Sequence, residues 1–154
     1  EHLQTIQYSS YDAIIISDYN KGFLQPEDID SIAKNHDLVF LDTKKILEER
    51  WCQDINFIKI NNYEYNKTKY TITKEMLDKT IITKGSEGCV FREKTYPVDK
   101  VEIKDSSGAG DTFVSALVVK YIETGDMDHS ISYANKCSTE VVQKRGVATV
   151  GNVQ

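Results

Sequence analysis

Three short, largely apolar runs, each ending in or followed by a polar or acidic residue, constrain this chain more than any other feature. They are Asp12-Ala-Ile-Ile-Ile-Ser-Asp18, Leu38-Val-Phe-Leu-Asp42 and Ile55-Asn-Phe-Ile-Lys-Ile60. Consecutive apolar positions, in place of a strict alternation, are what a strand covered on both faces requires. Between the first two runs, Gln25-Pro-Glu-Asp-Ile-Asp30 reads as a helix start, with Pro26 in the first turn and acidic side chains offsetting the positive helix end. That helix is expected to reach about Asn35, and a shorter one is expected around Ile46 to Trp51. Such alternation over modest connections implies a parallel sheet with right-handed crossovers. In an open α/β sheet ligands lie beyond the carboxyl ends of the strands, which is where Asp18, Asp42 and Asn61 fall.

From Thr80 the texture changes. Thr80-Ile-Ile-Thr-Lys84, Cys89-Val-Phe-Arg and Thr95-Tyr-Pro-Val are short strand-like runs, with glycines between the first two, and predict extension of the sheet by hairpins. From Gly108 the period becomes helical, with Phe113, Ala116, Leu117, Lys120 and Tyr121 in phase and Gly125 as a stop. A last helix is expected from about Asp128 to Lys144. The 154 residues are the length of one domain, without internal repeat or Pro/Gly/Ser-rich linker. A doubly wound sheet that opens just before a buried strand leads us to expect further chain upstream.

A net charge of -5 and a pI near 5.2 give neither nucleic acid nor an anionic membrane a broad attractive surface. The apolar runs are strand-length and the N-terminus lacks the basic and apolar regions of a signal peptide, so a cytoplasmic protein is expected. Cys52, Cys89 and Cys137, like His2, His36 and His129, are scattered without zinc or dithiol spacing, and the cysteines read as buried, reduced thiols.

Chemistry concentrates in Asp105-Ser-Ser-Gly-Ala-Gly-Asp-Thr-Phe113. Small residues open a helix there, and the amides of a first helical turn have no intrahelical partner and can face an anion. Gly108 and Gly110 allow close backbone approach, and Asp111 sets a carboxylate beside the anion site, able to take a proton from an attacking hydroxyl. The same residues are also compatible with an ordinary glycine turn and an aspartate that merely offsets the helix dipole.

The full string closely resembles the second signature of PfkB (ribokinase) family carbohydrate kinases. The resemblance implies a ribokinase-like three-layer α/β/α fold, of which this chain is the C-terminal, nucleotide-binding half of a mostly parallel central sheet, without the sugar-binding half. It further implies that Gly108, Ala109 and Gly110 stabilise the transferring γ-phosphoryl group and that Asp111 is the catalytic base. Asn61-Asn-Tyr-Glu64 matches the family's Asn-x-x-Glu motif, placing Asn61 and Glu64 around Mg²⁺ and its waters, although Asn and Glu after a strand also serve as helix caps. Thr83-Lys-Gly-Ser-Glu-Gly88 resembles the family's Thr-x-Gly-x-x-Gly segment and brings Thr83, Gly85 and Gly88 to the nucleotide, while also serving as a glycine turn.

Asn135 aligns with an adenine-pocket position, and Lys144-Arg-Gly146 resembles the closing turn near the base. Asp105, Ser107 and carbonyls of the Lys144 to Ala148 region correspond to a monovalent cation site in some members, with K⁺ the candidate ion; Ser106 and Ser107 replace the commoner threonines. Ser17-Asp-Tyr-Asn-Lys-Gly22 and Leu41-Asp-Thr-Lys44 look most like the heptose-phosphate kinase branch, from which Asn20 and Thr43 depart, and Lys21 and Lys44 are candidate phosphate contacts. The stretch from Glu64 to Thr80 is shorter than in relatives, which usually carry more helix there. The ligands implied are ATP, Mg²⁺ and a sugar or sugar phosphate, with a homodimer as a candidate assembly. Two other readings are a catalytically incomplete nucleotide-binding or assembly module, and a dinucleotide-binding oxidoreductase; the latter is disfavoured because no Gly-x-Gly-x-x-Gly follows the first strand.

Overall fold

The computed structural model describes residues 12–144. In chain order the elements are β1 (Ile14–Asp18), α1 (Pro26–Ala33), β2 (Val39–Thr43), α2 (Glu49–Cys52), β3 (Phe57–Asn61), α3 (Asn62–Thr68), α4 (Lys74–Leu77) and β4 (Thr80–Thr83). A 3₁₀ turn at Gly85–Glu87 leads to β5 (Cys89–Phe91) and β6 (Lys94–Tyr96), and the helices α5 (Ala109–Thr124) and α6 (Met127–Val142) follow. Strand order in the sheet is chain order, and β1 through β4 pair in parallel. Close packing divides the chain into two compact units, Glu1–Lys84 with Val90–Lys94, and Gly85–Cys89 with Thr95–Gln154.

In the first unit the apolar runs become strands with two different faces. Ile16, Leu41, Ile58, Ile60 and Ile82 project to one side and form a core with Ile29, Ile32 and Ala33 of α1, Trp51 and Cys52 of α2, and Met76 of α4. Fully burying an Ile or Leu side chain contributes roughly 1.5–3 kcal/mol, and Ile29, Leu47, Ile58 and Ile60 are all fully enclosed. The alternate positions carry an aromatic row, with Phe40 and Phe57 stacked at 5.4 Å and Phe91 at 6.4 Å from Phe57. Further along the same face stand Asp42, Lys59, Asn61 and Thr83, at the carboxyl ends of their strands. An open α/β sheet binds its ligands at that end.

Several boundaries differ from expectation. The first helix stops at Ala33 rather than Asn35, because Lys34 already closes it with its amide donating to the Asp30 carbonyl oxygen at 3.2 Å. The second helix begins at Glu49, leaving Ile46 exposed ahead of it. Arg92 lies outside β5: Arg92 and Glu93, at φ 51° and 66°, form the two-residue turn into β6. Glu64 to Thr80, a stretch shorter than in relatives, contains most of α3 and all of α4.

In the second unit α5 and α6 pack against each other, and their buried apolar residues are Phe113, Val114, Leu117 and Val118 of α5 and Met127, Ile131 and Ala134 of α6. Gly125, at φ 66°, ends α5 as expected, its amide donating to the Tyr121 carbonyl oxygen at 2.7 Å. The last helix starts a residue earlier than expected and ends two earlier, with Asp126 as its cap: Asp126 Oδ1 accepts from the amides of Asp128 at 3.0 Å and His129 at 3.4 Å. Cys52 and Cys89 are buried as expected, whereas Cys137 is half-buried. No described helix is long and apolar enough to cross a membrane.

Candidate active site

The turn Asp105 to Gly108 is built by its own side chains. Asp105 Oδ1 accepts from the Ser107 amide at 2.8 Å, and that bond holds the Asp105 carboxyl below the usual carboxylate range. The Ala109 amide donates to the Ser106 carbonyl oxygen at 3.2 Å. Gly108 then caps α5 at φ 78°, a left-handed conformation that costs an L side chain, and a methyl group added there would meet nothing within 4 Å. The chain thus enters the helix beside open space, with the first-turn amides of Ala109, Gly110 and Asp111 at the positive end of a sixteen-residue helix. Asp111 sits in that first turn and is exposed, as the turn itself is. Ser138 Oγ of α6 donates to the Ala109 carbonyl oxygen at 3.2 Å and steadies the helix start.

Asn61 and Glu64 form a capping box. Asn61 ends β3 and its Oδ1 accepts from the Glu64 amide at 2.8 Å, while Glu64 Oε1 accepts from the Asn61 amide at a long 3.5 Å. The helix-cap role is therefore realised. It leaves the loosely engaged carboxylate of Glu64 as the group that could order water around a cation. Among the described residues no three His, Cys, Asp or Glu side chains gather into a metal site. This pair fits a Mg²⁺ ion carried mainly by substrate phosphates and water, the usual habit of that ion.

Thr83 pairs in register with Asn61 across β3 and β4, so two of the candidate residues share one strand end. Gly85 and Gly88 flank a 3₁₀ turn, at φ 57° and 85°. Their surroundings differ: a methyl group on Gly85 would meet nothing within 4 Å, but one on Gly88 would lie 2.0 Å from the Tyr96 carbonyl oxygen. Gly88 therefore serves a close backbone approach, and Gly85 borders free space.

Asn135 is buried and already engaged. Its Nδ2 donates to the Tyr96 carbonyl oxygen at 3.1 Å, and its side chain also bonds the Cys89 thiol, which burial pushes up to about 12. Asn135 nevertheless contributes to the wall of a cavity of about 440 Å³, with Pro97, Val98, Val101, Thr139 and Glu140. That volume lies in the range of small-ligand sites.

Of the candidate lysines, Lys21 and Lys44 are both exposed. The structure buries their neighbour Lys45 instead, with its Nζ 3.2 Å from Asp18 Oδ2 and donating to Asn20 Oδ1 at 2.9 Å. Thr43 Oγ1 donates to the same Asp18 oxygen at 2.8 Å, and Asn20 takes a left-handed φ of 57°. Asn is among the residues that tolerate that conformation best. A second buried pair, Lys59 with Asp42 at 3.6 Å, was not anticipated either. The sequence signal for it is a lysine inside an apolar strand. The rest of the K⁺ donor set and of the closing turn, Arg145, Gly146 and Ala148, lies outside the described residues, as does His2.

Residues 27–152 match the family described as pfkB family carbohydrate kinase. Among curated relatives, the bifunctional protein HldE of Shewanella baltica (strain OS155) is 27% identical over an alignment that covers 94% of this chain and 35% of that protein. HldE of Hydrogenovibrio crunogenus is 28% identical, over 95% of this chain and 35% of its own length. The chain thus spans about a third of the curated relatives it matches. Ribokinase from Thermotoga maritima superimposes with a TM-score of 0.75 at 19% identity, covering 94% of this chain and 56% of that one. Arabidopsis thaliana ribokinase, solved with ribose and ATP, gives 0.72 at 17% identity, over 95% and 54%. Likeness at these identities shows the fold, a ribokinase-like α/β architecture.

Proposed function

The chain belongs to the pfkB family of carbohydrate kinases, and from that premise we propose that it supplies the nucleotide-binding and catalytic part of a sugar kinase. The observation that carries the reading is the start of α5: an exposed carboxylate, Asp111, in the first turn of a helix whose left-handed glycine cap faces open space. In the proposed reaction Asp111 accepts the proton of an acceptor hydroxyl, the freed oxygen attacks the γ-phosphorus of ATP in line, and ADP leaves. The amides of Gly108 and Gly110 take up charge developing on the transferred group, a stabilisation realised in the transition state, while the Ala109 amide stays with the Ser106 carbonyl oxygen and shapes the turn. Asn61 and Glu64 would hold Mg²⁺ through water, and the ion would supply neutralisation of the phosphate charge; the capping box fixes Glu64 for that role. Thr83 and Gly85 line the approach to the phosphates, and the cavity beside Asn135 receives the base.

The acceptor is a sugar or sugar phosphate. A heptose phosphate is favoured by the two strand-end motifs, and Asn20, where the branch pattern has glycine, takes a left-handed φ of 57° that glycine adopts readily. A second reading is a module that binds nucleotide without turnover. The two part on one experiment. In the full enzyme, Asp111→Asn should lower turnover by about 10²–10⁴-fold while leaving the ATP dissociation constant within about twofold. Unchanged turnover removes Asp111 from the role of base, and wild-type protein that binds ATP but phosphorylates no sugar phosphate supports the module.

A further inference from the structure

We propose that Asp128 is a positioning residue for the nucleotide: through the Tyr96 hydroxyl it sets the spacing between α6 and the segment that leaves β6, and so the width of the cavity that receives the base. The inference rests on the nucleotide site proposed above and adds two residues, Tyr96 and Asp128, that none of its motifs contains.

The cavity has two walls. One is a single stripe of α6 running from Ser132 to Gln143, and the other is Pro97, Val98, Asp99 and Val101, a stretch with neither helix nor strand. That stretch is a strap tied to α6 at both ends. At its start Tyr96 is fixed twice: its hydroxyl donates to Asp128 Oδ1 at 2.7 Å, and its carbonyl oxygen accepts from Asn135 Nδ2 at 3.1 Å. At its end the amides of Lys104 and Asp105 donate to the Val142 carbonyl oxygen at 2.8 and 3.3 Å. Asn135 and Val142 are about 10 Å apart along the helix axis, whereas the chain from Tyr96 to Lys104 would reach about 26–29 Å if extended. The strap therefore carries slack, which it takes up by bowing away from α6, and the cavity of about 440 Å³ lies beneath it.

Slack makes the anchors decisive. Asp128 in the first turn of α6 and Asn135 two turns later hold the two ends of one residue, so Tyr96 lies along the helix and fixes the direction in which the strap sets out. The carbonyl end is confined further by Gly88, where a methyl group would lie 2.0 Å from that same oxygen. Tyr96 is buried, and burial followed by the bond to Asp128 pushes its hydroxyl up to about 12, so it remains a donor at neutral pH. A phenol donating to a carboxylate is among the stronger hydrogen bonds, which suits it to hold a strap under tension from neither helix nor sheet. Neither Tyr96 nor Asp128 lines the cavity, so their effect on a ligand passes through the strap and through Asn135.

Isothermal titration with ATP, adenosine and inorganic triphosphate is run on wild type, Tyr96→Phe, Asp128→Ala and Asp128→Asn, each first checked for an unchanged circular dichroism spectrum. Tyr96→Phe and Asp128→Ala should each bind ATP and adenosine about 5- to 20-fold more weakly, with triphosphate affinity within about twofold. Their combination should be no weaker than either alone, because both remove the same bond. Asp128→Asn, which keeps an acceptor oxygen, should restore most of the adenosine affinity. A lowered urea midpoint with adenosine affinity unchanged in Tyr96→Phe and Asp128→Ala would make the bond purely structural and overturn the proposal. Equal losses for adenosine and triphosphate would overturn it too, as would an Asp128→Asn variant as weak as Asp128→Ala. If Asp128→Ala does not fold, Tyr96→Phe, which keeps the buried ring, decides the matter alone. Wild-type protein that binds neither ATP nor adenosine would refute the nucleotide site and this inference with it, whereas wild-type binding that the variants leave intact would refute the inference only.

Discussion

Replacing Gly88 by alanine should unfold this protein far more readily than replacing Gly85, although both belong to the same Thr-x-Gly-x-x-Gly segment. Both glycines have positive φ, 57° at Gly85 and 85° at Gly88, so each substitution incurs a left-handed penalty of about 1–2 kcal/mol. Alanine also stiffens the unfolded chain, which returns about 0.4–1 kcal/mol. For Gly85→Ala nothing else enters, since no atom lies within 4 Å of the new methyl group, and the net loss should be about 1 kcal/mol. For Gly88→Ala the methyl carbon would be 2.0 Å from the Tyr96 carbonyl oxygen and 2.9 Å from Pro97 Cα. Both are backbone atoms, so relief requires the Tyr96–Pro97 chain to move, and overpacking of this kind adds about 1–3 kcal/mol or more. The expected total is roughly 2–4 kcal/mol, a large share of the 5–15 kcal/mol that stabilises a domain. Urea unfolding followed by circular dichroism measures both variants against wild type. Gly88→Ala equal to or milder than Gly85→Ala would refute the close-approach argument. The same pair separates fold from ligand: Gly85→Ala, nearly as stable as wild type, should be the variant that binds ATP more weakly.

Stability should decline on the alkaline side because of two thiols. Burial raises Cys52 and Cys89 from 9.0 to about 12. Each therefore keeps its proton in the folded state while the unfolded thiol ionises above pH 9, so stability is unaffected below that pH and is lost between about 9 and 12. At pH 10 the loss is roughly 1–2 kcal/mol per thiol, and Cys89→Ala, compared with wild type at pH 7 and pH 10, should show a pH-dependent loss smaller by about that amount; an unchanged difference would count against the burial argument. In the β5–β6 turn, Glu93→Gly should raise the urea midpoint by the equivalent of about 0.5–1 kcal/mol, because glycine adopts the φ of 66° without strain. No gain would mean that Glu93 makes compensating contacts.

How much of this was legible in the sequence depended on whether the signal was local. The first three strands were found because burial on both faces leaves a run of apolar residues, and only their ends moved by a residue or two. The helix after Gly108 was found with its stop at Gly125, since a left-handed cap favours glycine at both ends. The β5–β6 turn was harder to place: Arg92 and Glu93 occupy conformations that Asn-Gly usually fills, so the chemistry gave no turn signal. The helices α3 and α4, of seven and four residues, were too short for a period to show. At the candidate site the motifs located Asn61 and Glu64, and their capping geometry is a local four-residue pattern. Which lysine is buried was not legible. Lys44 and Lys45 are adjacent, and the choice between them is made by Asp18, 27 residues earlier in sequence numbering and brought near by the β1–β2 register.

The two buried ion pairs show why burial alone is a poor guide to function. Taking an ammonium and a carboxylate out of water costs several kcal/mol per ion, and the interior returns that only when the remaining hydrogen-bonding groups are also met. Asp18 and Lys45 meet this condition: the carboxylate accepts from the Asn20 amide at 3.0 Å and from Thr43 Oγ1 at 2.8 Å, and the ammonium donates to Asn20. The network closes on itself, and what it fixes is backbone, the left-handed turn that carries the chain out of β1. Asp42 and Lys59 share the burial and the strand-end position, but the ammonium is left with a carboxylate 3.6 Å away and no hydrogen bond among the described residues. A fold that needed only to hold β2 against β3 at this point would be served at least as well by two apolar side chains of similar volume. The Lys59 ammonium therefore recovers less of its desolvation cost than the Lys45 ammonium does.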